Sequence, residues 1–327
     1  MNADGMTLDD FKPGLPWWGG DLQTIGAYFV SRFPRLPLHP FERLLLPIDD
    51  GSGDSLVAAL HRQETGRDRP LVVLIHGLAG CEESCYMVAT AAYLLGCGFP
   101  VLRLNLRGAG PSRLHCRREY HAGSTAELHA AIQGLDPDLR GRGLLAIGFS
   151  LGGNILLKYL AEYRGHTPVL AAASISAPID LADASRCLLR WRNTFYQRHL
   201  LAGVKRSTTL PRSDLTAKER AAILAARSIH EFDHAFTAPR NGYPDADRFY
   251  EANAAQRFLD AIRTPTLLIH ARDDPFVPAT AYERVEWRRL PYLTALLPRS
   301  GGHLGFRDPT GLWLLGRILG FFRKHTY

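Results

Sequence analysis

The stretch Leu144 to Leu160, LLAIGFSLGGNILLKYL, decides how the rest of the chain is interpreted. The apolar run Leu144 to Phe149 suits a strand buried on both faces, and the leucine spacing from Asn154 to Leu160 suits a helix. Ser150 therefore falls in the turn between them. A strand that reverses sharply into a helix strains the backbone of its middle residue and leaves no room for side chains two positions to either side. Gly148 and Gly152 occupy those positions. The Ser150 hydroxyl is then expected to stand clear of the sheet at the positive end of a helix, where free N–H groups can receive a developing oxyanion. By itself G-x-S-x-G arises by chance roughly once in ten chains of this length. Its weight depends on whether the chain also supplies a base, an acid and an oxyanion loop in the right places.

Upstream of this turn, RLLLPIDDGSGDSLVAALHR reads as two strands around a Gly and Asp turn, an antiparallel hairpin at a sheet edge. From Pro70 the pattern alternates. Leu71 to Ile75 is a short buried strand ending in His76-Gly77-Leu78-Ala79-Gly80. A helix from about Glu83 to Leu95, a strand from Pro100 to Leu104, the loop NLRGAGPS and a helix from Glu127 to Gln133 lead into the Ser150 strand. This is the signature of an α/β fold with a mostly parallel central sheet and helices on both faces. The GAG of Gly108 to Gly110 is no dinucleotide loop, because the third glycine and the downstream acidic residue are not in place.

Downstream, Leu170 to Ser176 is the next strand, after which the alternation stops. Residues 179–262 are helical and amphipathic, with Thr216-Ala217-Lys218-Glu219 as a capping box. A helical cap inserted into a single domain spanning 1–327 is the economical reading, and such a cap lines a substrate pocket. The sheet resumes with Thr266 to Ile269. A helix near Ala279 to Arg288, a strand from Tyr292 to Leu297 and a closing helix from about Gly311 to Phe322 complete the chain. The first segment, through about Pro40, contains the helix-like DLQTIGAYFV and is expected to wrap the core.

Serine is a poor nucleophile at neutral pH, so Ser150 needs a base within hydrogen-bond reach and that base needs an orienting acid. In a doubly wound sheet, reactive groups collect outside the carboxyl ends of the strands. Ser150, Asp274 and His303 each follow a strand, in the chain order Ser, Asp, His. Of the thirteen histidines, His303 alone sits in a glycine-rich loop just beyond the final strand, and His76 reads as a structural member of its own loop. For the acid, Asp274 is preferred over the adjacent Asp273, because it lies three residues before Val277 in a D-x-x-V/I-P turn. Asp273 remains the alternative. The oxyanion would be received by the backbone N–H groups of Leu78 and Leu151.

The formal charge is +7 and the isoelectric point about 9.3, which raises nucleic acid as a partner. The arginines are scattered, however, and no nucleic-acid motif appears, so no nucleic-acid partner is expected. Weak peripheral attraction to anionic membrane lipids is the functional reading of this charge that survives. Five cysteines, Cys81, Cys85, Cys97, Cys116 and Cys187, are an odd number without paired spacing, as in reduced intracellular proteins. The start carries acidic residues where a signal peptide needs positive ones, and no apolar stretch reaches membrane-spanning length. A cytoplasmic protein with no metal and no cofactor is expected.

HGLAG, NLRGAGPS, GFSLGGNILLKYL, FDHAFTAP, HARDDPFVP and SGGHLGF, in that order, resemble the YheT-like, ABHD1/ABHD3-related branch of the α/β-hydrolase superfamily. The resemblance covers nearly the whole chain, through FDHAFTAPRNGYPDADRFY in the cap. It implies a carboxylic-ester or acylglycerol hydrolase, some relatives also transferring acyl groups to alcohols, and it carries the triad onto Ser150, Asp274 and His303. WWGGDLQTI departs from the group's pattern, where a polar residue such as His more often precedes LQT. Two other readings stand beside ester hydrolysis: an alcohol O-acyltransferase using the same acyl-enzyme, and a catalytically silent binding protein. The expected substrate is a small-molecule ester or lipid, with the cap's leucines and aromatics favouring short- to medium-chain acyl groups.

Overall fold

The computed structural model describes residues 11–29, 40–63 and 69–326. Eight strands form one sheet: β1 (Glu42–Pro47), β2 (Ser55–His61), β3 (Leu71–Ile75), β4 (Val101–Asn105), β5 (Leu144–Phe149), β6 (Val169–Ile175), β7 (Thr266–Ile269) and β8 (Leu293–Leu296). Their order is β1-β2-β4-β3-β5-β6-β7-β8. β2 pairs antiparallel with both β1 and β4, as the hairpin reading requires, and every other pairing is parallel.

Because both faces of the parallel strands are covered, their residues are mostly apolar and alternate between two cores. On β3, Leu71, Val73 and Ile75 face one core while Val72 and Leu74 face the other. The first core is closed by Leu128 and Ile132 of helix Thr125–Gln133 and by Ile155 to Leu160 of helix Leu151–Glu162. The second is closed by Met87, Ala91 and Leu94 of helix Cys85–Gly96 and by Ile318, Leu319 and Phe322 of helix Trp313–Thr326. Among the described residues, no helix is long and apolar enough to cross a membrane.

Between β6 and β7 the described chain adds helices and no strand, running from Leu181 to Ala261. Four of its helices have caps written into the sequence: Asp180, Thr216, Ser228 and Asp245 all accept a main-chain N–H of their helix's first turn, and Thr216 with Glu219 completes the capping box.

One expected helix is not formed. The local pattern predicts a helix over residues 279–288, yet only Thr280–Glu283 and a 3₁₀ turn, Trp287–Arg289, are present. The Trp287 indole donates to the Tyr282 carbonyl at 3.0 Å, taking an acceptor that a continuing helix would use, and the Tyr282 hydroxyl is tied to the Ala177 carbonyl at 2.8 Å. Burying the two rings overrides the local helical pattern.

Candidate active site

The turn after β5 carries the strain its glycines anticipate. Ser150 has φ +51° and ψ −122°, outside the regions an L-residue normally occupies. A Cβ on Gly148 would lie 2.5 Å from the Gly152 carbonyl oxygen, and one on Gly152 would lie 2.3 Å from that of His76. Both contacts are with backbone, so no larger side chain fits. The Ser150 N–H is held by the Ile175 carbonyl at 2.8 Å, which anchors the turn to the neighbouring strand.

The loop after β3 lies directly against this turn, and Gly77 permits the approach: a Cβ there would be 2.9 Å from that of Ser150. His76 is fully buried and holds the loop in shape. Its Nε2 accepts the Leu106 N–H at 3.0 Å, so its Nδ1 carries the proton and donates to the Gly77 carbonyl at 2.8 Å. Burial pushes its pKa down to about 4, which makes it a neutral structural residue, as its loop position suggested. The Tyr86 hydroxyl accepts the Gly77 N–H at 3.0 Å, and the Tyr120 hydroxyl accepts the Ala79 N–H at 2.8 Å. Two of the loop's N–H groups are thus engaged, and among the described residues none of the hydrogen bonds engages that of Leu78 between them.

His303 and both aspartates meet beyond β7 and β8. His303 Nδ1 is 2.7 Å from Asp274 Oδ2, and its Nε2 is 2.9 Å from Ser150 Oγ. A proton on Nδ1, donated to the carboxylate, leaves Nε2 as an acceptor for the serine hydroxyl. Asp274 Oδ1 accepts the N–H groups of Phe276 and Val277 at 3.1 and 2.9 Å. Burial alone would raise this carboxyl's pKa. The facing His303 imidazole and the hydrogen bonds it receives prevail and hold it below the ordinary carboxylate value. Asp273 points elsewhere: its Oδ1 accepts the Gly302 N–H at 2.8 Å, bracing the histidine loop. The Phe276 ring packs on the His303 ring with centroids 4.1 Å apart.

Three contributors escape a reading of the sequence alone. Gln23 and Thr24, on helix Gly20–Phe29, are fully buried. Gln23 accepts the Arg307 N–H at 2.7 Å and Thr24 Oγ1 accepts the His303 N–H at 2.8 Å, so WWGGDLQTI braces the histidine loop instead of merely covering the core. Two uncharged polar residues in an otherwise amphipathic helix were the available signal. His270 is the third. It stacks on Tyr282 at 4.3 Å and places Nδ1 4.0 Å from Asp274 Oδ2. Burial lowers its pKa to about 4, so it faces the carboxylate as a neutral ring.

Ser150, His303, Leu78 and Leu151 open into a cavity of about 160 Å³. Its remaining walls come largely from the helical segment between β6 and β7, with Leu188, Leu200, Val204, Ile229, Phe232 and Phe236 on the apolar side.

A doubly wound sheet with one reversed strand, a strained serine after β5, and an aspartate and a histidine after β7 and β8 define an α/β hydrolase. Residues 70–309 match the α/β hydrolase fold family. The chain belongs to that family, and within it to the YheT-like branch: it is 33% identical to YheT of Escherichia coli (strain K12) over 293 residues, covering 85% of this chain and 83% of that one. It is also 31% identical to the medium-chain fatty acid ethyl ester synthase/esterase 2 of Saccharomyces cerevisiae, covering 79% of this chain and 62% of the yeast one. The structure of the Pyrococcus furiosus esterase Pf2001 superposes with a TM-score of 0.60 at 15% identity, covering 88% of this chain and 94% of that chain, a likeness of fold.

Proposed function

We propose that this chain is a serine hydrolase of carboxylic esters. The observation that carries the reading is the hydrogen-bonded line Asp274, His303, Ser150, ending at a hydroxyl in a strained turn beside an apolar cavity. In this mechanism His303 Nε2 takes the Ser150 proton as Oγ attacks the acyl carbonyl, and Asp274 keeps the imidazole in the required tautomer and stabilises its protonated form. The N–H groups of Leu78 and Leu151 receive the oxyanion. His303 then passes its proton to the departing alcohol, and water, activated by the same ring, releases the acid. The segment 179–262 acts as a cap whose leucines and phenylalanines hold a short- to medium-chain acyl group.

A fluorophosphonate probe tests this. Labelling is expected on Ser150 in the native protein and is expected to vanish in Ser150→Ala together with hydrolysis of a nitrophenyl ester. Native protein that never reacts, or a Ser150→Ala variant with full activity, overturns the reading. Acyl transfer is the second reading, favoured by the double name, synthase and esterase, of the yeast relative. It uses the same acyl-enzyme and differs in what resolves it, so product analysis with added ethanol separates the two.

A further inference from the structure

The loop after β3 turns on one hydroxyl that belongs neither to the loop nor to the triad. The Gly80 N–H donates to the Gly77 carbonyl at 3.1 Å, closing a tight turn with Leu78 and Ala79 at its corner. Ala79 has φ +56°, in the left-handed region where a side chain is strained. The Tyr120 hydroxyl accepts the Ala79 N–H at 2.8 Å and donates to the Gly77 carbonyl at 3.2 Å. It therefore spans both peptide planes that meet at Leu78. Burial pushes the phenol's pKa up, so the donated proton stays in place.

A trans peptide is planar, with its carbonyl and its N–H pointing in opposite directions. The His76 Nδ1–H at 2.8 Å, the Gly80 N–H and the Tyr120 hydroxyl all draw the Gly77 carbonyl to one side, which turns the Leu78 N–H to the other. Leu78 and Ser150 line the same cavity. The next peptide, between Leu78 and Ala79, has no such redundancy: among the described residues its only hydrogen bond is the one to Tyr120. Without that oxygen the strained Ala79 backbone relaxes, and the Leu78 N–H moves with it.

Tyr120 is itself fixed from three directions. Its ring stands edge-on to that of His76, with centroids 5.4 Å apart. Its N–H donates to the Arg107 carbonyl at 2.8 Å, and the buried Arg107 guanidinium is held by Asp54 at 2.7 Å, Asp50 at 2.9 Å and Glu127 at 3.1 Å. Just beyond, the Ala122 carbonyl accepts the Asn154 side-chain amide at 3.2 Å, on the helix that follows Ser150. An ion cluster on one side and the nucleophile's helix on the other thus hold the hydroxyl in register with Ser150.

We propose that Tyr120 is a positioning residue of the oxyanion hole: its hydroxyl sets the direction of the Leu78 N–H, and so the stability of the tetrahedral intermediate, without touching a reacting atom. This rests on the ester-hydrolase reading above. Tyr120→Phe keeps the ring beside His76 and removes only the hydroxyl, so it is expected to fold. Its kcat for a nitrophenyl ester is expected to fall about 10- to 100-fold, with KM within about twofold of the wild type. Tyr159→Phe is the control. Its buried hydroxyl bonds Thr167 at 3.0 Å, roughly 13 Å along the helix from Ser150, and its loss is expected to leave kcat unchanged.

Octyl trifluoromethyl ketone reads the oxyanion itself. Ser150 Oγ bonds to its carbonyl carbon, the serine proton passes to His303 Nε2 and the ketone oxygen becomes the oxyanion, with no leaving group lost. Its affinity is expected to fall in Tyr120→Phe by the same factor as kcat, whereas octyl methyl ketone, which stays trigonal, is expected to bind both proteins equally. Unchanged kcat in Tyr120→Phe overturns the proposal, as does an equal loss of affinity for both ketones or an equal fall of kcat in Tyr159→Phe. Failure of the underlying reading is distinguishable by fluorine NMR. A wild-type protein that forms no Ser150 adduct overturns both readings, and an adduct equally stable in wild type and Tyr120→Phe overturns this proposal alone.

Discussion

Thr24 Oγ1 accepts the main-chain N–H of His303 at 2.8 Å, joining two residues 279 positions apart. The threonine touches no reacting atom. It holds the histidine loop in register with Ser150, together with Asp273 on the Gly302 N–H. Thr24→Val removes the acceptor and leaves a buried N–H unpaired, a cost of about 1–3 kcal/mol. Small displacements of a catalytic base are expensive, so kcat for a nitrophenyl ester is expected to fall about 10- to 100-fold with little change in KM. Thr24→Ser keeps the oxygen and is expected to recover most of the rate. Equal activity in the two variants would refute the positioning role.

The adjacent aspartates should separate sharply in kinetics. Asp274→Asn replaces the carboxylate on His303 Nδ1 and favours the wrong tautomer, for which a loss of about 10⁴-fold in kcat is expected. Asp273→Asn keeps an oxygen able to accept the Gly302 N–H and is expected to lose less than about tenfold. Steady-state rates on one ester decide between them, and the reverse ranking would assign the acid to Asp273.

Gly152 and Gly141 make a paired test of the turn. A Cβ at Gly152 meets the carbonyl oxygens of His76 and Ile75 at 2.3 and 2.6 Å, whereas one at Gly141 meets nothing within 4 Å. Gly152→Ala is expected to cost about 3 kcal/mol or more and to abolish activity, since the backbone of both loops must shift. Gly141→Ala should leave the melting temperature within a few degrees of the wild type. A folded, active Gly152→Ala protein would contradict the close approach of the two loops.

Asp233 predicts a pH signature in stability. Its folded pKa is about 6, raised by burial from an ordinary value of 3.8. A raised folded pKa contributes stability that is fully present below the unfolded value and lost as pH rises through the folded one. Between about pH 4 and 6 the wild type therefore gives up roughly 3 kcal/mol that Asp233→Asn does not. The variant is expected to gain relative to the wild type across that window, with the difference constant above it. Denaturant unfolding of both proteins at pH 4, 5, 6 and 8 reads this directly, and a difference independent of pH would rule out a buried, titrating Asp233.

His270 has the opposite sign. Its folded pKa is about 4 against an ordinary 6.5, so the stability tied to its neutral form is present above about pH 6.5 and lost as pH falls towards 4. His270→Phe preserves the stack on Tyr282 and removes the titration. Its stability should decline less than the wild type's between those pH values, as measured by thermal melts. A parallel decline would show that His270 is not the group responsible.

The sheet, the hairpin at its edge and the order of Ser150, Asp274 and His303 were legible because each rests on local pattern: the buried strands read as largely apolar runs, and the three residues each lie in the turn or loop after one. What was illegible depends on tertiary proximity. Nothing local in DLQT marks Thr24 as a partner of a residue near the other end of the chain, and Tyr86 and Tyr120 support the Leu78 loop only because their helix and loop pack beside it. The residues after Ala279 failed for the converse reason. Their local pattern is helical, but the Trp287 indole takes the Tyr282 carbonyl while the Tyr282 hydroxyl is tied to Ala177. Asp273 and Asp274 could be ranked by the turn motif but separated only in three dimensions, where one carboxylate meets the imidazole and its neighbour the Gly302 N–H.

The family match spans residues 70–309, yet the grip on His303 comes from Thr24. A fragment trimmed to the matched region would contain Ser150, Asp274 and His303 with every hydrogen bond among them, and would still release the loop that carries the base. For expression, fusion or directed evolution, the smallest useful unit of this protein therefore starts upstream of its own sheet. A deletion that reaches Thr24 removes the acceptor of the His303 N–H.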